Sequence, residues 1–277
     1  MGNIKMKQYL YRLFQWVFKG LPVMKVPANV TINRGGKQLA GRKIVVTGGS
    51  RGIGYWMAKR FLDEGAGVLI TGRDVNRLKQ AAEELRCQYL QFDVTDVKST
   101  PAFVEDAARL LGGLDGLVNN AGICNQDNGF LNVTETSYDE QFLTNVKGPF
   151  FLTQAFLKYI EVERVNSSSV LFITSERGLY PDDAPYGMTK AAIGNIVAGL
   201  ARKFATMGVH INAIAPGVVA DVLADPKKME DLYLKGAAGK RFILPQEIAE
   251  TAVWLMSDAS KCVSGEIIPC NQCNHLK

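Results

Sequence analysis

Arg42-Lys43-Ile44-Val45-Val46-Thr47-Gly48-Gly49-Ser50-Arg51-Gly52-Ile53-Gly54-Tyr55-Trp56-Met57 is the stretch that decides the fold of this chain. Ile44, Val45 and Val46 form an apolar run that reads as a buried strand. Gly48, Gly52 and Gly54 punctuate a turn, and an amphipathic helical pattern follows. Strand, glycine turn and helix in that order make a phosphate site. Glycine lets the backbone approach a pyrophosphate, while the helix start presents free N–H groups and the positive end of its dipole. A glycine turn alone is weak evidence, because tight turns need glycine anyway. The flanking strand and helix make this one a dinucleotide site.

At 277 residues the chain can bury one large core. Its hydrophobic share of 47% and charged share of 21% are those of a globular protein. No apolar run is long enough to span a bilayer. From Lys43 onward, strand-like runs at 43–47, 67–71, 89–93, 114–119, 169–174, 209–214 and 266–269 alternate with helical patterns near 53–64, 74–86, 101–111, 137–160, 185–207 and 246–257. This alternation predicts an α/β fold: a single Rossmann-type doubly wound parallel sheet of about seven strands with helices on both faces. Residues 40–277 form the dinucleotide-binding catalytic domain and 1–39 an N-terminal extension. Ligands then bind beyond the C-terminal strand ends, near the point where strand order reverses.

Several strand ends carry candidate functional residues. Phe92-Asp93-Val94-Thr95-Asp96 closes the third strand and Asn119-Asn120-Ala121-Gly122 the fourth. Asn145 stands in the long helical pattern after it. Ser175 ends the fifth strand, within Thr174-Ser175-Glu176-Arg177-Gly178. Tyr186-Gly187-Met188-Thr189-Lys190 then puts a phenol and an ammonium four residues apart, on one helix face. A phenol titrates at about pKa 10, too high for proton transfer at neutral pH. A neighbouring ammonium favours the phenolate and lowers that value. Asn212-Ala213-Ile214-Ala215-Pro216-Gly217 ends the sixth strand.

Together with the Gly-x-x-x-Gly-x-Gly turn, these motifs resemble the classical short-chain dehydrogenase/reductase family, over about residues 40–270. The resemblance implies a nicotinamide cofactor held by Gly48, Ser50, Arg51, Gly52, Ile53 and Gly54. Asp93 and Val94 then contact the adenine, and Asn120, Ala121 and Gly122 let the backbone pass close. Pro216, Gly217 and Val219 lie beside the nicotinamide. It also implies a catalytic tetrad of Ser175, Tyr186, Lys190 and Asn145. Tyr186 donates the proton, Ser175 stabilises the oxyanion, Lys190 binds the nicotinamide ribose and lowers the Tyr186 pKa, and Asn145 holds a water linking Lys190 to solvent. Two positions depart from the family pattern. Asp221 stands where a threonine usually contacts the carboxamide, and Cys270-Asn271-Gln272-Cys273 replaces the usual Asp-Gly-Gly after the last strand.

Cofactor choice is read at the second strand end. NAD-preferring sites usually place a carboxylate there for the ribose 2′-OH. Here Gly72 leads into Arg73, and Arg51 in the glycine turn is a second cation. Guanidinium groups pair with phosphate in bidentate fashion. NADP(H) is therefore favoured over NAD(H); the alternative is that both arginines are solvated surface residues. The reaction expected is hydride transfer between the nicotinamide and a small-molecule ketone or secondary alcohol. 3-Oxoacyl thioesters, sugars, polyols and steroids all remain open. In the 218–244 region, which the resemblance implies forms the substrate lid, Lys227, Lys228, Lys235, Lys240 and Arg241 hint at an anionic substrate or form a solvated face. The rival class is a non-catalytic nucleotide sensor or membrane-surface scaffold on the same fold. Loss of a tetrad residue would mark the sensor, and none is lost.

Residues 1–43 hold nine Lys and Arg and no Asp or Glu, leaving 23 basic and 27 acidic residues in the remainder. The positive charge thus belongs to the extension, which argues against a nucleic-acid-binding core. Residues 4–19 read as an amphipathic helix with a polar stripe at Lys5, Gln8, Arg12, Gln15 and Lys19. Packing against the body or a neighbouring subunit ranks ahead of peripheral contact with anionic lipid. A homodimer or homotetramer is expected. Five cysteines, an odd number, and no secretory signal pattern point to a cytoplasmic protein with free thiols. Cys262, Cys270, Cys273 and His275 have a zinc-like spacing, but free thiols are the preferred reading and no metal is assigned. His210 reads as a core histidine.

Overall fold

A computed structural model of the chain describes residues 36–125, 127, 129–220 and 232–276. Strands β1 (Lys43–Thr47), β2 (Gly67–Gly72), β3 (Gln88–Gln91), β4 (Gly116–Asn119), β5 (Ser168–Ile173), β6 (Val209–Pro216) and β7 (Ile267–Cys270) form one sheet, in the order β3-β2-β1-β4-β5-β6-β7. Every pairing is parallel. Helices α1 (Gly52–Asp63), α2 (Val75–Leu85), α3 (Thr100–Leu111), α4 (Glu135–Phe142), α5 (Gly148–Glu163), α6 (Pro185–Phe204) and α7 (Pro245–Met256) make the crossovers. Strand order reverses between β1 and β4, so their C-terminal ends frame the crevice where a ligand binds in such a sheet. The helix expected over 4–19, Asp221, Lys227 and Lys228 lie outside the described residues. Among the described residues no helix is long and apolar enough to cross a membrane.

The inner strands are largely apolar runs because both sheet faces are covered, whereas the edge strands β3 and β7 are only partly buried. Ile44, Val46, Val68 and Ile70 pack with Met57 and Phe61 of α1, Leu78 of α2 and Ile248 of α7. Their alternate neighbours Val45 and Leu69 join Val170, Phe172, Phe103 of α3, Phe156 of α5 and Ile193 of α6 in the second core. Leu39, just before β1, is fully buried in the first core. His210 corrects an expectation: it is half-buried at the start of β6, at the sheet's N-terminal edge, rather than in the core.

The helix expected over 137–160 is not continuous. α4 ends at Phe142, Leu143–Lys147 form a π-helical turn, and α5 starts at Gly148. A Cβ on Gly148 would overlap the Val94 carbonyl oxygen, so glycine is what lets α5 begin against the loop after β3.

One buried ion cluster clamps α1 to α7. Arg60, 3% exposed, donates to Glu64 Oε1 at 2.8 Å and to Glu250 Oε2 at 3.1 Å. Glu64 Oε2 also accepts the Gln38 N–H at 3.0 Å. Burial pushes the Glu64 pKa up, but the Gln38 N–H and the Arg60 guanidinium more than offset it, leaving the carboxyl below its ordinary value. Removing one member of a buried pair strands its partner's charge. Arg60→Met should therefore lose about 3 kcal/mol of stability at neutral pH, read by urea denaturation. A carboxyl with a depressed folded pKa contributes stability above its unfolded pKa and loses it as pH falls through the folded one. The gap between wild type and Arg60→Met should accordingly close as pH drops through the Glu64 folded value; a gap constant down to that pH would contradict the assignment.

Candidate active site

The crevice at the β1–β4 junction is held open by side chains that satisfy its backbone. Thr47 Oγ1, at the end of β1, donates to the Val118 carbonyl at 3.1 Å and accepts the N–H groups of Asn120 at 2.9 Å and Ala121 at 3.0 Å. Asn120 Nδ2 returns to the carbonyls of Thr47 at 2.8 Å and Gly48 at 3.2 Å. Gly48 has φ +65°, and a Cβ there would press on Ala121. A Cβ on Gly54 would overlap the Gly48 carbonyl oxygen. Gly54 thus lies beneath the turn and brings α1 against it, as close helix–strand packing requires.

Above this turn lies a cleft of about 330 Å³, lined by Gly48, Ser50, Arg51, Gly52, Ile53, Arg73, Asp93, Val94, Asn120, Ala121 and Gly122 among others. The first turn of α1 carries no acidic residue and no capping side chain, so its N–H groups and dipole are uncompensated. Arg51 and Arg73 make no ion pair among the described residues. Arg77, not anticipated from the sequence, also reaches the cleft. Asp74 is a carboxylate at the second strand end, but it caps α2. Its Oδ1 accepts the N–H groups of Asn76 at 3.1 Å and Arg77 at 3.0 Å. Asp93 lies just beyond β3, and its Oδ1 accepts the Thr95 N–H and hydroxyl at 2.9 and 2.8 Å. A narrow glycine cradle, an open helix start and cationic walls fit a dinucleotide pyrophosphate.

A second cavity of about 280 Å³ shares Ile53, Asn120, Gly122 and Ile123 with the first. Ser175, Tyr186, Lys190, Pro216, Gly217 and Val219 line it, with Cys124 and Thr174. Lys190 Nζ lies 5.5 Å from the Tyr186 ring centroid and donates to the Ile173 carbonyl at 2.9 Å. Burial pulls its pKa down to about 8. The expected lowering of the Tyr186 pKa takes the Lys190 and nicotinamide charges together. Among the protein's own groups, burial pushes the phenol up and the Cys124 charge adds to it, outweighing the Ser175 hydroxyl and the Arg177 charge, both of which favour the phenolate.

Asn145 sits in the π-helical turn, and such turns recur at functional sites because they re-aim a side chain. Its Oδ1 accepts the Ile123 N–H at 2.9 Å, and its Nδ2 donates to the Ile123 carbonyl at 2.8 Å and Thr189 Oγ1 at 3.1 Å. Both side-chain donors are engaged by protein, so the side chain ties the loop after β4 to α6. Gly122 keeps space beside this amide and Lys190: a Cβ there would stand 3.1 Å from Asn145 Oδ1 and 3.4 Å from Lys190 Nζ.

The unusual segment after β7 folds back on the site. Asn274 Nδ2 donates to Oε1 of buried Glu176 at 2.7 Å. His275 Nδ1 lies 2.9 Å from Asn271 Oδ1, Cys270 Sγ lies 3.5 Å from Thr251 Oγ1, and Cys262 and Cys273 are exposed. Arg241 is held by Glu247, which takes its guanidinium through bonds of 2.6 and 2.8 Å, rather than left open to a substrate anion. Thr47, Glu176 and Asp182 were not singled out from sequence; a polar residue closing an apolar strand is the one signal that marks Thr47.

Comparison with known proteins agrees with this geometry. Residues 48–272 match a family model described as enoyl-(acyl carrier protein) reductase. The 3-oxoacyl-(acyl-carrier-protein) reductase of Aquifex aeolicus is 32% identical over 246 residues, covering 84% of this chain and 97% of that protein. Gluconate 5-dehydrogenase of Gluconobacter oxydans is 32% identical over 240 residues, covering 83% of this chain and 93% of the relative. A Sinorhizobium meliloti crystal structure described as a short-chain alcohol dehydrogenase matches with a TM-score of 0.75 at 31% identity, over 87% of this chain and 99% of that one. The two connected cavities at the β1–β4 switch point, on this fold and with these relatives, mark the chain as an oxidoreductase that belongs to the short-chain dehydrogenase/reductase family and acts on CH–OH or C=O groups.

Proposed function

We propose that the chain is an NADP(H)-dependent oxidoreductase that interconverts a ketone and a secondary alcohol, with Tyr186 as acid and base. The observation that carries this reading is the meeting of Ser175, Tyr186 and Lys190 in a cavity continuous with the glycine-turn cleft. Bound nicotinamide supplies the hydride. Ser175 and Tyr186 hold the substrate oxygen between their hydroxyls. Tyr186 passes its proton to that oxygen, and Ser175 donates a hydrogen bond to the developing negative charge. Lys190 binds the ribose beside them, and Asn145 keeps the loop after β4 in register with α6. The relatives named for 3-oxoacyl reduction and gluconate oxidation share only this carbonyl–alcohol chemistry, so the substrate is given at that level.

The NADP(H) preference rests on Arg51, Arg73 and Arg77 around the cleft, and on Asp74, whose carboxylate is engaged as the α2 cap. Assembly as a homodimer or homotetramer is part of the same proposal. Phe150, Tyr138 and Val162, left exposed along α4 and α5, support it.

Tyr186→Phe should abolish turnover of a carbonyl panel read by NADPH absorbance, while NADPH binding, followed by its fluorescence, stays near wild type. Near-wild-type turnover would remove Tyr186 from the proton-donor role. Arg73→Ala should weaken NADPH binding by about 1.5 kcal/mol, the scale of hydrogen bonds to a charged group, and leave NADH binding unchanged. Equal loss for both cofactors, or equal binding of both by wild type, would instead mark the arginines as surface residues.

A further inference from the structure

Between Ser175 and Tyr186 the chain carries an ion pair that stands outside the tetrad. Arg177 Nε donates to Asp182 Oδ2 at 2.5 Å, and its Nη2 to Asp182 Oδ1 at 2.8 Å. Asp182, with its side chain 7% exposed, also accepts the N–H of Ala184, the residue before α6, at 3.0 Å. A Cβ on Gly187 would overlap this carboxylate, so glycine there lets Asp182 lie against the first turn of α6. Asp182 thereby fixes Arg177 relative to the helix that carries Tyr186. The guanidinium stands 5.5 Å from the Tyr186 ring centroid, and the Arg177 backbone N–H donates to Ser175 Oγ at 3.3 Å. One residue thus touches both hydroxyl-bearing residues.

We propose that Arg177 is a positioning residue for Tyr186: a second cation, clamped by Asp182, that biases the phenol toward phenolate where Lys190 alone does not suffice. The inference rests on Tyr186 being the proton donor. Among the described residues, few titratable or charged groups face the phenol. Lys190 comes from α6, Ser175, Arg177 and Asp182 from the segment between β5 and α6, and Cys124 from the segment after β4. Lys190 loses its charge before an ordinary phenol titrates at about pKa 10, since burial brings its own pKa down to about 8. Burial raises the Cys124 thiol pKa, and its thiolate, once formed, opposes the phenolate. Arg177 keeps its charge throughout, because Asp182 raises its pKa further. An opposite charge at this range favours an ionised phenol.

The test needs neither substrate nor cofactor. Tyrosinate absorbance after a rapid pH jump is measured on the full chain and on Arg177→Gln, Arg177→Met and Arg177→Lys. With nine tyrosines present, each trace is subtracted from its Tyr186→Phe counterpart to isolate Tyr186. Arg177→Gln and Arg177→Met should move the Tyr186 midpoint to higher pH, and Arg177→Lys should hold it near wild type. Gln keeps an amide donor for Asp182, so at least one neutral variant retains the local fold, checked by near-ultraviolet circular dichroism. An unchanged midpoint in the neutral variants would overturn the proposal. So would an equal upward shift in all three, because that outcome assigns Arg177 a packing role independent of charge. Turnover by Tyr186→Phe tests the proton-donor assignment separately, so failure of one reading is distinguishable from failure of the other.

Discussion

One buried hydroxyl joins the two halves of the sheet where the ligand crevice opens. At the switch point β1 and β4 are neighbours, yet their chains leave toward opposite faces, and the backbone beyond each strand end loses its ladder partners. Buried N–H and C=O groups left there would be costly. Thr47 Oγ1 meets the Val118 carbonyl and the N–H groups of Asn120 and Ala121, and the Asn120 amide meets the carbonyls of Thr47 and Gly48. The rim is therefore satisfied from within. The cleft keeps its shape because these bonds and the glycine contacts hold its walls, and the open N–H groups of α1 remain directed at whatever anion enters.

The second constraint is the burial of an ammonium. Lys190 is 5% exposed, and a buried cation is tolerated only when bonded. The Ile173 carbonyl supplies that bond, while Thr174 Oγ1 anchors the Lys190 backbone carbonyl at 2.9 Å. Desolvation lowers the lysine and raises the tyrosine, so burial by itself drives both toward their neutral forms. Proximity of the two side chains is then not sufficient for phenolate chemistry. The Ser175 hydroxyl and the Arg177 charge act in the opposite direction. A bound nicotinamide in its oxidised, cationic form would add to them electrostatically.

Much of the architecture is legible in the chain. The seven strand-like runs became seven strands with ends no more than two residues from those expected, because the inner strands are buried on both faces and hydrophobicity alone marks them. Helix interiors were equally readable. The break between α4 and α5 was not, since Leu143–Lys147 carries no glycine or proline inside it to announce a change of winding. Gly148 and Pro149 stand only at its far end. The π-helical turn answers instead to distant partners: Ile123 and Thr189 hold Asn145, and Val94 receives α5.

By itself the sequence determined the sheet, the dinucleotide crevice and the residue types at the strand ends, because periodicity and glycine spacing act through local sterics and burial. Tertiary structure decided what those residue types do. It turned Asp74 into a helix cap, paired Arg241 with Glu247, engaged both Asn145 side-chain donors, and buried the Tyr186 phenol so that desolvation raises it. Each outcome depends on desolvation and on partners far away in the chain, and neither quantity exists until the chain has folded.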